Sequence, residues 1–150
     1  MSQYSKELNT MLNKTLMRVN RIHSNKKLGT ATCKLDIMDV AILEVLNDEP
    51  QSLKSLCTNM NYPRADLAKF VSRLLKSKLI EKSEDPVDKR LVVLGLTEFG
   101  DRQLAVASSK LHAPLEFAIS ELTINEEKAV LKYLSRLHQG FKQLEDKSEK

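Results

Sequence analysis

Apolar residues recur at steps of three and four along most of the chain, which is the spacing of amphipathic helices. Residues 4–23 place one apolar stripe on Leu8, Met11 or Leu12, Thr15, Val19 and Ile22. Residues 35–47 repeat the spacing and end before Pro50; the apolar positions are Leu35, Met38, Ile42, Val45 and Leu46. The pattern therefore predicts two helices joined by a loop over residues 24–34.

The next segment predicts two helices separated by a very short turn. Ser52 is a favourable N-cap for the helix "LKSLCTNM". The turn "NYP" follows, and Pro63 suits the first position of a helix over residues 63–78. The apolar face of that helix carries Leu67, Phe70, Val71, Leu74 and Leu75. Such a pair predicts a helix-turn-helix, whose second helix fits a DNA major groove about 12 Å wide.

A β-hairpin is predicted directly after this helix pair. The segments "LIEKSED" and "RLVVLGL" flank "PVDK", and the second is rich in β-branched and aliphatic residues. A hairpin in this position is the wing of a winged helix-turn-helix. Its tip would carry Asp88, Lys89 and Arg90. Such a tip reaches a narrow minor groove, where the negative potential attracts arginine.

Two further helices complete the prediction. Thr97 caps a helix over about 98–120, and Pro114 within it should kink or interrupt that helix. A capping box from Thr123 to Glu126 opens a helix over residues 123–145. Its apolar positions approach a coiled-coil seam; they are Val130, Leu134, Leu137, Phe141 and Leu144. A winged lobe of roughly 60–70 residues is too small to cover both terminal helices. We therefore predict a homodimer, the alternative being that these helices pack on their own domain.

Charge favours a polyanionic partner. The 150-residue chain has a formal charge of +4. Residues 54–90 alone hold nine Lys/Arg against five Asp/Glu, so the excess of positive charge lies in the helix-turn-helix and wing. No apolar run approaches the roughly 20 residues needed to cross a bilayer, and the N-terminus has no secretory h-region. These features predict a cytoplasmic protein without a membrane partner.

Catalytic and metal chemistry have no visible basis in the sequence. No nucleophile–base pair, glycine-rich phosphate loop or paired set of metal ligands is present, and the three histidines are widely separated. We therefore expect neither an enzyme nor a cofactor or metal site. Cys57 has the spacing of a core residue, whereas Cys33 is expected in an exposed loop. A redox role for Cys33 is the less favoured alternative.

The segment "LIEKSEDPVDKRLVVLGLTEFG" resembles the wing signature of the MarR family of bacterial transcription regulators. The shared features are the Asp-x-Arg of Asp88 and Arg90, the aliphatic strand, Leu96-Thr97, and Gly100 three residues on. The preceding helix is similar to the family's recognition helix, and both terminal helices fill its dimerisation positions. The resemblance implies a mostly α fold with a small β-hairpin wing (α+β). Residues 35–97 would form the DNA-binding lobe, and residues 4–23 and 98–145 the dimerisation helices.

The resemblance also implies residue roles. Arg90 would enter the minor groove, with Lys89 beside it, and Asp88 would hold Arg90 in place. The N-terminus of the helix at Ser52 would bind a phosphate. The face that reads the major groove would contain Arg64, Asp66, Lys69 and Arg73. For Arg73, supporting the wing and touching phosphate both remain open.

Three positions depart from the family pattern. The recognition helix begins with Pro63-Arg64-Ala65-Asp66 in place of small hydroxyl residues, and Asp66 would repel phosphate but accept a bond from cytosine. Lys78 replaces a glycine between helix and wing, which costs about 1 kcal/mol if that position is left-handed. Pro114 lies in a helix that is usually long.

The sequence thus predicts a DNA-binding transcriptional regulator. We expect a homodimeric repressor that binds a pseudo-palindromic double-stranded operator and is relieved by a small-molecule effector. The alternative is a protein-binding adaptor that kept the winged fold and lost specific DNA recognition.

Overall fold

Six helices and one antiparallel hairpin make up the computed structural model, which describes residues 2–148. This arrangement confirms the predicted α+β winged helix-turn-helix fold. The elements in chain order are α1 (Gln3–Ser24), α2 (Ile37–Asp48), α3 (Leu53–Met60), α4 (Arg64–Lys76), β1 (Ile80–Glu84), β2 (Val92–Leu96), α5 (Glu98–Ile119) and α6 (Ile124–Ser148).

Side-chain caps begin five of the helices, namely α1, α2, α3, α5 and α6. The Ser52 hydroxyl accepts a hydrogen bond from the Ser55 amide, which confirms the predicted N-cap of α3. At α6, the Glu126 carboxylate accepts bonds from the Thr123 amide and hydroxyl, as the predicted capping box requires. A further capping box opens α2, between Asp36 and Asp39. The capping box of α2 was not predicted, because the apolar pattern placed the start of that helix at residue 35.

One apolar core joins α2, α3, α4 and the hairpin. The side chains exposed by less than 2% include members from each of these elements. The apolar ones are Leu35, Val40, Ile42, Leu43, Leu46, Leu56, Leu67, Leu74, Leu79, Ile80 and Ala107. Each of the larger side chains contributes roughly 1.5–3 kcal/mol when it leaves water, so this core fixes how α4 stands against the hairpin.

A Schellman motif turns the chain from α4 into β1. The Leu79 amide donates to the Leu74 carbonyl and the Lys78 amide donates to the Leu75 carbonyl, both at 3.0 Å. This motif requires a left-handed residue at its penultimate position, and Lys78 has φ of 57°. The predicted strain at Lys78 is therefore present in the structure.

The base of the hairpin is fixed by Thr97 and Gly100. The Thr97 hydroxyl donates to the Lys78 carbonyl at 2.7 Å and accepts from the Gly100 amide at 2.9 Å. A Cβ atom on Gly100 would lie 1.9 Å from the Leu79 carbonyl oxygen, so only glycine fits there. Strand pairing runs from Ile80 opposite Leu96 to Glu84 opposite Val92.

The chain divides into two compact units, the first reaching Leu111 and the second beginning at His112. In the first unit, α1 contains no buried residue, and large apolar side chains such as Leu8, Met11 and Met17 are more than half exposed. In the second unit, α6 also contains no buried residue, and Leu131, Leu134 and Leu144 are more than half exposed. Both helices therefore present unburied apolar faces.

Two local expectations are corrected. The helix α5 continues through Pro114 from Glu98 to Ile119, so the expected interruption is wrong, whereas a kink at Pro114 stays a prediction. Cys33 is buried at 9% exposure, so the expectation of an exposed thiol is also wrong. Its loop is held closed by the Thr30 hydroxyl, which accepts from the Cys33 amide. None of the helices within residues 2–148 has the length and hydropathy needed to cross a bilayer.

Candidate nucleic-acid interface

The tip of the hairpin is built by two aspartates. The Asp85 carboxylate accepts hydrogen bonds from the amides of Val87 (2.7 Å) and Asp88 (3.0 Å). The Leu91 amide donates to the Asp88 carbonyl at 2.9 Å, and the Asp85 amide donates to the Leu91 carbonyl at 3.0 Å. Asp85 therefore shapes the tip. It was not assigned from the sequence, although an aspartate before a proline is a common turn signal.

Asp88 orients Arg90 through a bidentate ion pair. Its two carboxylate oxygens accept from Nε (3.0 Å) and a terminal guanidinium nitrogen (3.1 Å) of Arg90. The Arg90 side chain is nevertheless 89% exposed. The hydrogen bond from Arg90 lowers the pKa of Asp88, and the carboxylate in turn raises the pKa of Arg90. The pair is thus fully ionised near neutral pH, with a guanidinium held in solvent.

The outer face of α4 presents three of the four predicted contacts. Arg64, Asp66 and Lys69 are all exposed on the first two turns. The Lys69 ammonium lies 3.9 Å from the Asp66 carboxylate, in a pair that is 81% and 56% exposed. Such an exposed pair is worth under about 1 kcal/mol, so both side chains are available to an incoming ligand.

Arg73, the fourth, occupies a different environment. Its guanidinium donates to the carboxylates of Asp36 (3.0 Å) and Asp39, which are 5% and 1% exposed, and it stacks 5.1 Å from the ring centre of Phe70. Burial acts to lower the pKa of Arg73, but the hydrogen bond and charge of Asp39, followed by those of Asp36, outweigh it and raise that pKa. Arg73 therefore joins α4 to the N-terminus of α2, a contact that was not among the two roles considered for it.

Two of the predicted residues line one cleft, which lies between α3, α4 and the hairpin. Ser52 at the start of α3 and Arg64 at the start of α4 both line it. Asp88, Lys89 and Arg90 stand together at the wing tip, outside this cleft. The predicted residues thus form two groups, one at the helix-turn-helix and one at the wing.

Comparison with known proteins agrees with this geometry. A family described as "Winged helix DNA-binding domain" matches residues 35–100. The transcriptional regulator AdcR of Streptococcus pneumoniae serotype 2 is 25% identical over 143 residues, covering 91% of this chain and 97% of AdcR. Over nearly its whole length the chain is similar to AdcR and to other regulators of the MarR family. It is a transcriptional regulator with a winged-helix DNA-binding fold, and its relatives are not enzymes.

Solved structures show the same fold over nearly the whole chain. The adhesin competence repressor AdcR of Streptococcus pyogenes matches with a TM-score of 0.70 at 19% identity, covering 93% of this chain and 98% of that one. FabT of Streptococcus pneumoniae, solved in complex with DNA, matches with a TM-score of 0.67 at 17% identity, covering 95% and 97%.

Two remaining expectations concern metal chemistry and the redox alternative for Cys33. Within residues 2–148, no group of three or more His, Cys, Asp or Glu side chains is placed to hold a metal ion. Burial, reinforced by the charge of Asp39, raises the pKa of the Cys33 thiol. A raised pKa keeps the thiol protonated and unreactive near neutral pH, which disfavours the redox alternative.

Proposed function

We propose that the protein is a homodimeric, sequence-specific DNA-binding regulator that acts in the cytoplasm as a repressor. The observation that carries the proposal is the wing tip, where Asp88 holds an exposed Arg90 guanidinium at the end of a hairpin. This hairpin follows a helix-turn-helix whose second helix has a charged outer face. The match of residues 35–100 to a winged-helix DNA-binding domain and the resemblance to MarR regulators support a double-stranded DNA partner.

Each group of residues has a distinct part in the proposed complex. Arg90 enters the minor groove with Lys89 beside it, and Asp88 fixes the direction of the guanidinium. Arg64, Asp66 and Lys69 face the major groove, and Ser52 lies at a backbone phosphate. Arg73 acts indirectly, because its two carboxylate partners hold α4 in place.

A dimer is supported by the unburied apolar faces of α1 and α6. A second copy would cover side chains such as Leu8, Met17, Leu134 and Leu144, which are at least half exposed in one protomer. Two copies related by a twofold axis would present two recognition helices to a pseudo-palindrome, with half-sites about one helical turn apart.

Relief by a small-molecule effector is proposed on the family resemblance. In that mode, a small and often aromatic or anionic ligand binds between the DNA-binding lobe and the dimer helices and changes the spacing of the two recognition helices. Selection of bound duplexes from a random pool, with and without a metabolite mixture, tests operator and effector together. A shared sequence motif that is lost in the presence of the mixture is the expected result.

The wing is tested by Arg90→Ala. Loss of one contact per protomer should weaken binding and reduce the slope of log affinity against log salt concentration by about two per dimer. Asp88→Asn, which keeps the side-chain shape but removes its charge, should give a smaller loss. An Arg90→Ala protein with an unchanged salt slope would contradict the assignment.

A protein-binding adaptor is the second candidate, because Asp66 places a carboxylate on the helix face that would meet phosphates. Fluorescence anisotropy with random-sequence duplex at low salt separates the two. DNA binding of any strength at low salt supports the regulator, whereas its complete absence favours the adaptor.

A further inference from the structure

A cleft between the helix-turn-helix and the wing contains Arg64 together with two lysines, Lys54 and Lys82, that have no role in the proposed complex so far. It has a volume of about 360 Å³ and is bounded by the start of α3, one side of α4 and both strands of the hairpin. The charged residues that line it are Lys54, Arg64 and Lys82, one from each of three elements, and none of the lining residues is an aspartate or glutamate.

Backbone geometry fixes the walls of this cleft. Gln51 and Leu94 exchange two backbone hydrogen bonds, of 3.0 and 2.8 Å, which hold the start of α3 against β2. Lys82 pairs with Leu94 in the hairpin register and lies on the same side of β1 as the buried Ile80. Lys82 therefore points toward α4 and not away from the lobe.

The three cations have no protein partner among the ion pairs of the described residues. The pairs found there involve Lys69, Arg73, Arg90 and Arg102, and none involves Lys54, Arg64 or Lys82. Three converging positive charges without a counter-charge repel one another, so an anion in the cleft would be stabilised. Ammonium and guanidinium groups together supply the charge-assisted donors that a tetrahedral oxyanion accepts.

We propose that this cleft holds one phosphate of the DNA backbone, with Lys54 and Lys82 as phosphate contacts beside Arg64. The inference rests on the proposed function: α4 lies in the major groove and the wing in the adjacent minor groove. One phosphate strand separates these two grooves, so it must cross the protein between α4 and the hairpin, where the cleft lies. The contacts set affinity and register, and they carry no sequence information.

Lys54→Gln and Lys82→Gln in the full-length protein test the proposal. Each should weaken binding to two duplexes of unrelated sequence by the same factor and reduce the salt slope by about one per protomer. Lys82→Arg, which keeps the charge, should retain the wild-type slope. Lys76→Gln is the matched control, since Lys76 is exposed on the last turn of α4 but does not line the cleft.

Because Lys54 and Lys82 share one phosphate, the double variant should lose less affinity than the product of the two single losses. Thermal unfolding of each variant establishes that the lobe remains folded. A loss that differs between the two duplexes, or one matched by Lys76→Gln, overturns the proposal. Wild-type slopes in both variants also overturn it.

A free oxyanion is the other source of the same chemistry. Inorganic phosphate is titrated into the wild-type protein at constant ionic strength while the amide resonances of Lys82 and Val92 are followed. Shifts in these resonances, combined with unchanged DNA salt slopes in the variants, would assign the cleft to a free anion and overturn the DNA contact. If Arg90→Ala weakens DNA binding while the cleft variants do not, only the cleft proposal fails. If the wild type binds no DNA, both proposals fail.

Discussion

Lys78 has a backbone conformation that a lysine rarely adopts. Its φ of 57° is required because the Schellman motif at the end of α4 needs a left-handed residue there. Asn61 occupies the same region at the end of α3, but asparagine tolerates it better than lysine does. The strain at Lys78 therefore comes from the Cβ atom of a residue poorly suited to this region, and Lys26, with φ of 48°, shares it.

Replacing Lys78 with glycine should stabilise the protein. Glycine has no Cβ atom to clash in the left-handed region, so Lys78→Gly is expected to raise the free energy of unfolding by roughly 0.5–1 kcal/mol. Urea denaturation followed by circular dichroism measures this change. Lys76→Gly, two residues earlier and inside α4, should lower stability by roughly 0.5–1 kcal/mol. A loss of stability in Lys78→Gly would contradict the assigned strain.

Cys33 should react slowly with alkylating agents in the folded protein. Burial and the nearby Asp39 raise the pKa of its thiol, so the reactive thiolate forms only at pH values above the ordinary thiol range. In a Cys57→Ser variant, the rate of iodoacetamide modification reports Cys33 alone. We expect slow labelling at pH 7, an increase at alkaline pH, and fast labelling in denaturant. Native labelling at pH 7 as fast as in denaturant would show that the thiol is accessible.

At the scale of elements, Arg73 connects the recognition helix to the helix that begins the lobe. Its partners Asp36 and Asp39 also form the capping box of α2, so one cluster serves both helices. Each carboxylate oxygen of this pair accepts a hydrogen bond. Removal of the guanidinium would leave two buried acceptors without their countercharge.

Arg73→Ala should therefore destabilise the lobe by about 2–3 kcal/mol. This is below the roughly 3–5 kcal/mol of a fully buried broken pair, because Arg73 is itself 38% exposed and partly screened by solvent. Lys69→Ala removes an exposed cation one turn earlier and should cost less than about 0.5 kcal/mol. Urea denaturation compares the two. Equal losses would show that the Asp36–Arg73–Asp39 cluster does not stabilise the lobe.

Elements set by local signals could be predicted from the sequence, and contacts between distant segments could not. Ser52 and Thr123 predict the starts of their helices, because the hydroxyl of an N-cap residue accepts a hydrogen bond from a backbone amide no more than three residues away. The Asp88–Arg90 pair is equally local. Arg73 lies 34 residues from Asp39, so nothing in either segment signals their contact. Burial of Cys33 likewise depends on how its loop folds back, which the local composition does not reveal.

At the scale of the whole molecule, the apolar stripes of the first and last helices were predicted from their spacing. The structure leaves both unburied within one chain. Sequence spacing shows which side chains share a face, but it does not show what covers that face. In the proposed dimer, the second copy covers these apolar faces. The same dimer would also place two wings on one duplex.

Phe141→Asp should convert the dimer to monomers. Phe141 is 49% exposed on α6, and a charge introduced at a buried interface position costs several kcal/mol. Sedimentation equilibrium at micromolar concentration measures the association. Gln139→Asp introduces the same charge at an exposed polar position of α6 and should leave association less affected. A wild-type protein that is already monomeric would refute the dimer.

The base and the tip of the hairpin differ in how much sequence change they tolerate. At the base, the Thr97 hydroxyl bonds the left-handed Lys78 and the Gly100 amide, and a Cβ atom on Gly100 would clash with the backbone. One inserted residue there would invert every side chain of the strand, since β-strand faces alternate. The tip is closed by its own aspartates, and none of residues 85–91 is buried, so we expect a change in its length to disturb the core less than a change at the base. Binding preference can therefore diversify through the tip while the scaffold stays fixed.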